Sequence, residues 1–125
     1  MSLRTPLGKV LGRGSAGEGV GHWWVQRVTA IALLPLTLWF AVSLLRVSLQ
    51  SYEAVRGWLA QPWVAVSTLL LVVALAWHSK LGVQVVIEDY VHAKGVKTAA
   101  LLLSTFVHVA AAAAGIFAVL VLALS

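Results

Sequence analysis

The chain has 125 residues, of which 61% are hydrophobic and only 10% are charged. Soluble domains carry roughly 25% charged residues, so this composition excludes a soluble globular domain and indicates a small integral membrane protein. The absence of cysteine excludes disulfides and iron–sulfur ligation within this chain. The formal net charge of +5 is concentrated at the ends of the apolar segments, which favours a role in membrane orientation over nucleic-acid binding.

Residues 1–22 are polar and glycine-rich, with no apolar segment followed by a small-residue cleavage site, so no cleavable signal peptide is predicted. We interpret 1–22 as a polar cytoplasmic arm and 23–125 as a three-helix transmembrane anchor. A spanning helix needs about 20 apolar residues, and the predicted spans cover about 25–47, 62–87 and 98–124. The fold class is therefore an all-α membrane protein, and such a thin bundle is expected to pack with a second membrane-anchor subunit.

Two polar connections are predicted between the spans, at 48–61 and 88–97. Pro62 suits the first turn of the second span, where its missing N–H is not needed. Gly95 is expected to interrupt the helices in the second connection. The run Ala110–Gly115 in the third span favours close packing against a neighbouring helix, because small residues let helices approach in lipid.

The basic residues predict the orientation of the spans. Most of them flank one side of the predicted membrane: Arg4, Lys9, Arg13, Arg27, Lys94 and Lys97. Only Arg46 and Arg56 lie on the opposite side. Cytoplasmic loops carry the excess of Lys and Arg, so the N-terminus is predicted to be cytoplasmic in a bacterial inner membrane and the C-terminus to lie outside.

His78 is the most informative single residue, because it lies well inside the second span. An ionisable side chain within a membrane is a functional hypothesis by default. Two interpretations fit it: an axial ligand of haem iron, or a hydrogen bond to a neighbouring helix. At 100° per residue, Gly82 and Asp89 fall about 40° and about 20° from His78 on the helical wheel, and a glycine one turn along leaves room for a macrocycle edge.

The pair Asp89-Tyr90 comes about 16 Å along the axis from His78, where the span should leave the bilayer. On the residues alone, an interfacial tyrosine beside a solvated acid accounts for this pair. A separate polar site at the membrane surface is the functional alternative. Lys80 lies about 200° from His78 and is expected to face away from it, either extending to the interface or meeting an acid on a partner.

The sequence leaves two interpretations open for each of the following side chains. Arg27, preceded by His22, either anchors the first span on the cytoplasmic side or meets anionic haem propionates. His108, in the third span, is either a second axial ligand or an interhelical contact, and its apolar surroundings favour the contact. No nucleotide-binding loop, zinc-protease motif or catalytic triad pattern occurs.

These residues match a known pattern. The segment His78-Ser79-x-x-Gly82 followed by Asp89-Tyr90-Val91-His92 resembles the hydrophobic membrane-anchor subunit, of the D type, of succinate dehydrogenase, respiratory complex II. The segment Arg27-Val28-Thr29-Ala30-Ile31 looks like that family's entry into its first helix. Three spans in about 120 residues also agree with the resemblance.

The resemblance implies a complete functional assignment. His78 would ligate the iron of a haem b that is shared with a second membrane-anchor (cytochrome b) subunit. Tyr90 would hydrogen-bond a carbonyl of ubiquinone, and Asp89 would support that site and proton delivery. His22 and Arg27 would meet the haem propionates. Glu88, directly before the acid–tyrosine pair, is an extra negative charge relative to the family pattern.

The resemblance also implies partners: an iron–sulfur subunit and a flavoprotein subunit that deliver electrons to quinone in the respiratory chain and tricarboxylic acid cycle. This chain would be a subunit of an enzyme complex and would not turn over alone. The alternatives are a fumarate reductase-type anchor, a haem-free membrane scaffold, or a small transporter in which His78 and Glu88 relay protons. The absence of an inverted repeat disfavours the transporter.

Overall fold

A computed structural model describes residues 16–47 and 51–125 of the chain. It contains four helices: α1 (Ala16–Arg46), α2 (Tyr52–Leu59), α3 (Pro62–Tyr90) and α4 (Lys94–Leu124). The described ranges contain no strand, so the predicted all-α class is confirmed. The part of the N-terminal arm before residue 16 lies outside the described residues.

Three helices, α1, α3 and α4, are long and apolar enough to cross a membrane. In lipid, a helix satisfies its own backbone hydrogen bonds, which explains why long apolar segments take this form. Few side chains are buried by the chain itself: the buried apolar residues of the described part are Leu59, Val64, Leu71, Leu81 and Val119. The protein is a multi-pass membrane protein whose apolar surfaces face lipid or other subunits.

Helix α3 is the centre of the bundle. It packs against α1 on one side and against α4 on the other, whereas α1 and α4 do not contact each other in the described part of the chain. The arrangement is a single layer of three helices rather than a closed bundle. Any side chain that bridges two spans must therefore involve α3.

The connection predicted at 48–61 contains the short helix α2 instead of being wholly irregular. The Ser51 side chain caps this helix by accepting a hydrogen bond from the Ala54 N–H at 3.3 Å. Leu59 at its end is buried against Val64 and Val119, which gives the apolar side of the helix a core to cover. This helix was not predicted from the sequence, because its polar residues resemble those of an irregular connection and only one of its faces is apolar.

The second connection is shorter than predicted, since α3 continues to Tyr90 and α4 begins at Lys94. Gly95 does not interrupt a helix; it lies in the first turn of α4. Val91, which follows the last helical residue and caps α3, has an extended backbone conformation. Asp89 and Tyr90 are consequently helical, so their predicted position on the His78 helix is secure.

Candidate functional site

His78 lies half-buried on the side of α3 that faces α1. Its Nδ1 atom is 3.1 Å from the Thr29 hydroxyl oxygen of α1. This contact joins residues that are 49 positions apart in the sequence. Packing of α1 against α3 therefore orients the imidazole.

The hydrogen-bond geometry around Thr29 assigns the proton on the ring. The hydroxyl oxygen of Thr29 is 2.8 Å from the Val25 carbonyl oxygen of its own helix, to which it donates its single proton. The same oxygen then accepts a hydrogen bond from the Nδ1–H of His78. This tautomer leaves Nε2 with a free lone pair, and Nε2 has no hydrogen-bond partner among the described residues. Metal-binding histidines are commonly held in this way, by a hydrogen bond from the nitrogen that does not bind the metal.

The surface of α3 one turn beyond His78 is open. A side-chain carbon built on Gly82, one turn further along α3, would meet no atom within 4 Å. Glycine therefore keeps this part of the helix surface open. A half-buried imidazole with a free Nε2, next to an open helix surface, fits axial ligation of a haem.

A polar cleft of about 480 Å³ lies between α1 and α3, near the end of α3. His22 and Gln26 line it from α1, and Gln84 and Glu88 line it from α3. The amide of Gln84 donates a hydrogen bond to the Glu88 carboxylate at 2.8 Å. The cleft therefore lies between the same two helices as the His78 contact, with His22 on one wall and a carboxylate on the other.

Arg27 does not line this cleft. Its guanidinium lies 5.5 Å from the centre of the Trp23 ring, one turn earlier on α1, in a cation–π contact. Two residues along a helix correspond to about 200°, so Arg27 is on the other side of α1 from Thr29. The structure thus places Arg27 on a different face of α1 from the contact between Thr29 and His78.

Asp89 and Tyr90 are exposed at the end of α3, and Tyr90 is 79% exposed. The Lys97 side chain of α4 donates a hydrogen bond to the Glu88 carbonyl at 3.0 Å. A cation at the C-terminal end of a helix compensates its unpaired carbonyl groups. This contact ties the start of α4 to the turn of α3 that carries the acid–tyrosine pair.

His108 forms the interhelical contact that its surroundings predicted. Its Nε2 atom is 3.1 Å from the Ser79 hydroxyl of α3, and its Nδ1 atom is 2.7 Å from the Ser104 carbonyl of its own helix. Both ring nitrogens are thus engaged within the chain. The prediction of a contact is confirmed, and the structural role of His108 is to join α4 to α3.

The described residues contain no group of three or more His, Cys, Asp or Glu side chains that could hold a metal ion. A haem iron bound by His78 would require only one protein ligand from this chain, with the second supplied elsewhere. Thr29 and Ser79, the partners of the two membrane histidines, were missed in the sequence. In the sequence, these contacts were indicated only by the position of both hydroxyl groups within apolar spans, where a hydroxyl needs a hydrogen-bond partner.

Comparison with known proteins identifies the family of this chain. A family model described as the succinate dehydrogenase/fumarate reductase transmembrane subunit matches residues 1–122. The chain is 33% identical over 118 residues to a succinate dehydrogenase hydrophobic membrane anchor subunit from Paracoccus denitrificans, covering 94% of this chain and 91% of that protein. It is 35% identical over 89 residues to the protein of the same description from Rickettsia bellii (strain RML369-C), covering 71% of each.

A third relative is the succinate dehydrogenase membrane anchor subunit of Reclinomonas americana, which is 36% identical over 78 residues, covering 60% of this chain and 65% of that protein. The family match extends over nearly the whole chain and includes all three spans. This chain therefore belongs to the family of succinate dehydrogenase/fumarate reductase transmembrane subunits, and it is a succinate dehydrogenase membrane anchor.

Proposed function

We propose that this membrane anchor binds haem b through His78, jointly with a second membrane-anchor subunit, and forms part of the site where ubiquinone is reduced. Electrons would reach the quinone from the iron–sulfur subunit, which receives them from the flavoprotein subunit. The chain would contribute binding groups and would not oxidise succinate itself. The proposal places it in the bacterial inner membrane with its N-terminus in the cytoplasm.

The observation that carries the proposal is that only one ring nitrogen of His78 has a partner among the described residues. Nδ1 lies 3.1 Å from the Thr29 hydroxyl, and the assigned tautomer leaves the Nε2 lone pair for a metal. An interhelical histidine would instead be expected to use both nitrogens, as His108 does with Ser79 and Ser104. The contrast between the two membrane histidines supports ligation by His78 rather than by His108.

When bound, haem b supplies a one-electron redox centre whose potential depends on its axial ligands and their hydrogen bonds. The residues of this chain would hold it in place: His78 through Nε2, and His22 from the cleft wall through a hydrogen bond to a propionate. Arg27 would act there only by leaving its Trp23 contact. Glu88 on the opposite wall disfavours an anion close to it, so a propionate is expected on the α1 side of the cleft.

Tyr90 and Asp89 would serve the quinone. The Tyr90 hydroxyl is exposed at the end of α3, where it is available to a ligand that enters from the lipid. A hydroxyl donor stabilises the negative charge that develops on a quinone oxygen during reduction. Asp89, its neighbour, would support proton delivery from the cytoplasmic side.

A reduced-minus-oxidised optical spectrum of the purified complex tests the proposal, with wild type, His78→Ala and His108→Ala compared. We expect a b-type α-band in wild type that is lost or strongly shifted in His78→Ala and retained in His108→Ala. A wild-type complex without b haem would refute haem binding, and an unchanged spectrum in His78→Ala would refute the ligand assignment. A haem-free scaffold would then be the better description.

A further inference from the structure

Lys80 is a cation placed deep in the membrane. It lies ten residues before Tyr90, the last residue of α3, so its backbone is about 15 Å from the end of the helix. The hydrocarbon core of a bilayer is about 30 Å thick. Helix α3 has 29 residues and is therefore about 42 Å long. Lys80 lies about 6 Å from its midpoint, within the apolar part of the span, where ionisable side chains are rare and usually pair with another group.

The Lys80 ammonium group makes one contact of note among the described residues. Its Nζ atom lies 5.9 Å from the centre of the Trp77 ring, one turn earlier on α3. This cation–π contact supplies no carboxylate to balance the charge.

Among the side chains that the structure describes, no carboxylate lies at the depth of Lys80. The chain has four acidic residues. Glu88 is about 12 Å nearer the end of α3, and Asp89 follows it. Glu53 lies in α2, at the opposite end of the bundle, where its partner is Arg56 at 3.8 Å. The side chain of the fourth, Glu18, lies outside the described residues.

The Lys80 side chain lines a groove between α3 and α4, which has a volume of about 470 Å³. The groove is otherwise apolar apart from His108, whose ring nitrogens are already bonded to Ser79 and Ser104. Small side chains, including Ala76, Ala112 and Ala113, line the groove. Small residues allow the backbone of another helix to approach closely in lipid.

From these observations we propose that the α3–α4 groove is the docking site for a transmembrane helix of another subunit, which presents an aspartate or glutamate to Lys80 near the middle of the membrane. An anionic lipid fits less well, because its headgroup stays at the membrane surface, whereas the Lys80 backbone is about 15 Å from the end of α3. The site is distinct from the His78 face, since the two residues are about 200° apart around α3. The inference rests on the proposed assembly with other membrane subunits, but not on haem binding.

The test measures how firmly the purified complex retains each of its other membrane subunits during a detergent wash. We would compare wild type with Lys80→Met, which removes the charge, Lys80→Arg, which keeps it, and Lys94→Met. Lys94 is an exposed residue at the start of α4 and receives the same chemical change. We expect Lys80→Met to lower retention roughly tenfold, the order of a lost polar contact within a membrane, while the other two variants behave as wild type.

Equal retention in Lys80→Met and wild type would overturn the proposal, and so would equal losses in Lys80→Met and Lys80→Arg, which would indicate packing rather than charge. A photocrosslinking amino acid at position 80 in the assembled complex should react with a membrane peptide that contains an acid. Exclusive reaction with lipid would also overturn it. If Lys80→Met prevents assembly, Lys80→Glu combined with lysine at the crosslinked acid should restore it, and failure to do so refutes the ion pair.

Discussion

The two membrane histidines show how a neighbouring hydroxyl decides what an imidazole can do. Thr29 accepts from His78 at one nitrogen only, so the other is left for a ligand. His108 uses both nitrogens to join two helices. The residue type is the same and both lie in spans, yet the hydrogen-bond partners give them different chemistry.

Thr29→Val should change the haem without preventing its binding. The substitution keeps the shape of the side chain but removes the acceptor for His78 Nδ1–H, so the imidazole becomes a weaker and less well oriented ligand. We expect a shifted reduction potential and a broadened α-band in redox titrations of the complex. Thr29→Ser should restore the wild-type values.

Thr37→Val is the matched control, because the Thr37 hydroxyl lies on the same helix and bonds the carbonyl groups of Leu33 and Leu34 there. Equal shifts in Thr29→Val and Thr37→Val would show that the effect comes from the helix and not from His78. No shift in either would contradict a role for Thr29 in orienting the ligand.

Tyr90→Phe should raise the KM for ubiquinone and lower the rate of quinone reduction. Loss of one hydrogen bond to a developing charge corresponds to about 2–4 kcal/mol, or roughly one to three orders of magnitude in kcat. The measurement is succinate-dependent quinone reduction by the complex. Electron transfer to an artificial acceptor that takes electrons from the soluble subunits should be unchanged, and Tyr52→Phe, on α2, should behave as wild type.

At the scale of the element, three successive side chains of α3 take three different directions. His78 faces α1, Ser79 reaches His108 of α4, and Lys80 lines the groove beside α4. Rotation by about 100° per residue separates them around the helix. Under the two proposals, one turn of this helix would combine a haem ligand, an internal contact and a surface for a partner.

Gly115→Val should weaken the packing of α4 on α3. A side-chain carbon at Gly115 would lie 3.0 Å from Val72 Cγ1 of α3, and a valine adds two further carbon atoms at that point. Overpacking of this kind costs about 1–3 kcal/mol. We expect a lower thermal midpoint of the purified complex, measured by the loss of folded protein on heating.

Gly95→Val is the control for that change, since a side-chain carbon at Gly95 would meet nothing within 4 Å. Both glycines are in α4, so the helix propensity of valine affects the midpoint of both variants and drops out of the comparison. A midpoint lowered equally by the two substitutions would contradict close packing at Gly115. The small-residue run contributes to contact through Gly115, as the sequence predicted.

The whole molecule is an open layer, which has too little interior to stabilise itself. Its large exposed apolar residues lie along all three spans, for example Leu34, Leu70 and Phe106. Lipid covers such surfaces without a hydrophobic driving force between helices, so polar contacts and close packing determine how the helices associate. A partner that fills the α3–α4 groove would complete the bundle.

The predicted orientation can be checked with single cysteines, because the chain has none of its own. Gln61→Cys, between α2 and α3, should react with a membrane-impermeant maleimide from outside the cytoplasmic membrane. His92→Cys, between α3 and α4, should react only after permeabilisation. The positive-inside rule gives this expectation, and the reverse labelling pattern would contradict it.

The sequence by itself determined the three spans, the all-α class and the position of His78, Asp89 and Tyr90 on one helix. Apolar length and helical periodicity are local properties, and a membrane leaves the backbone no alternative to the helix. Only the tertiary structure decided that α3 is central, that α2 is helical, that Arg27 is apart from His78, and that Thr29 holds Nδ1. These features depend on how each helix is rotated against its neighbour, which contacts between distant residues fix and local patterns do not.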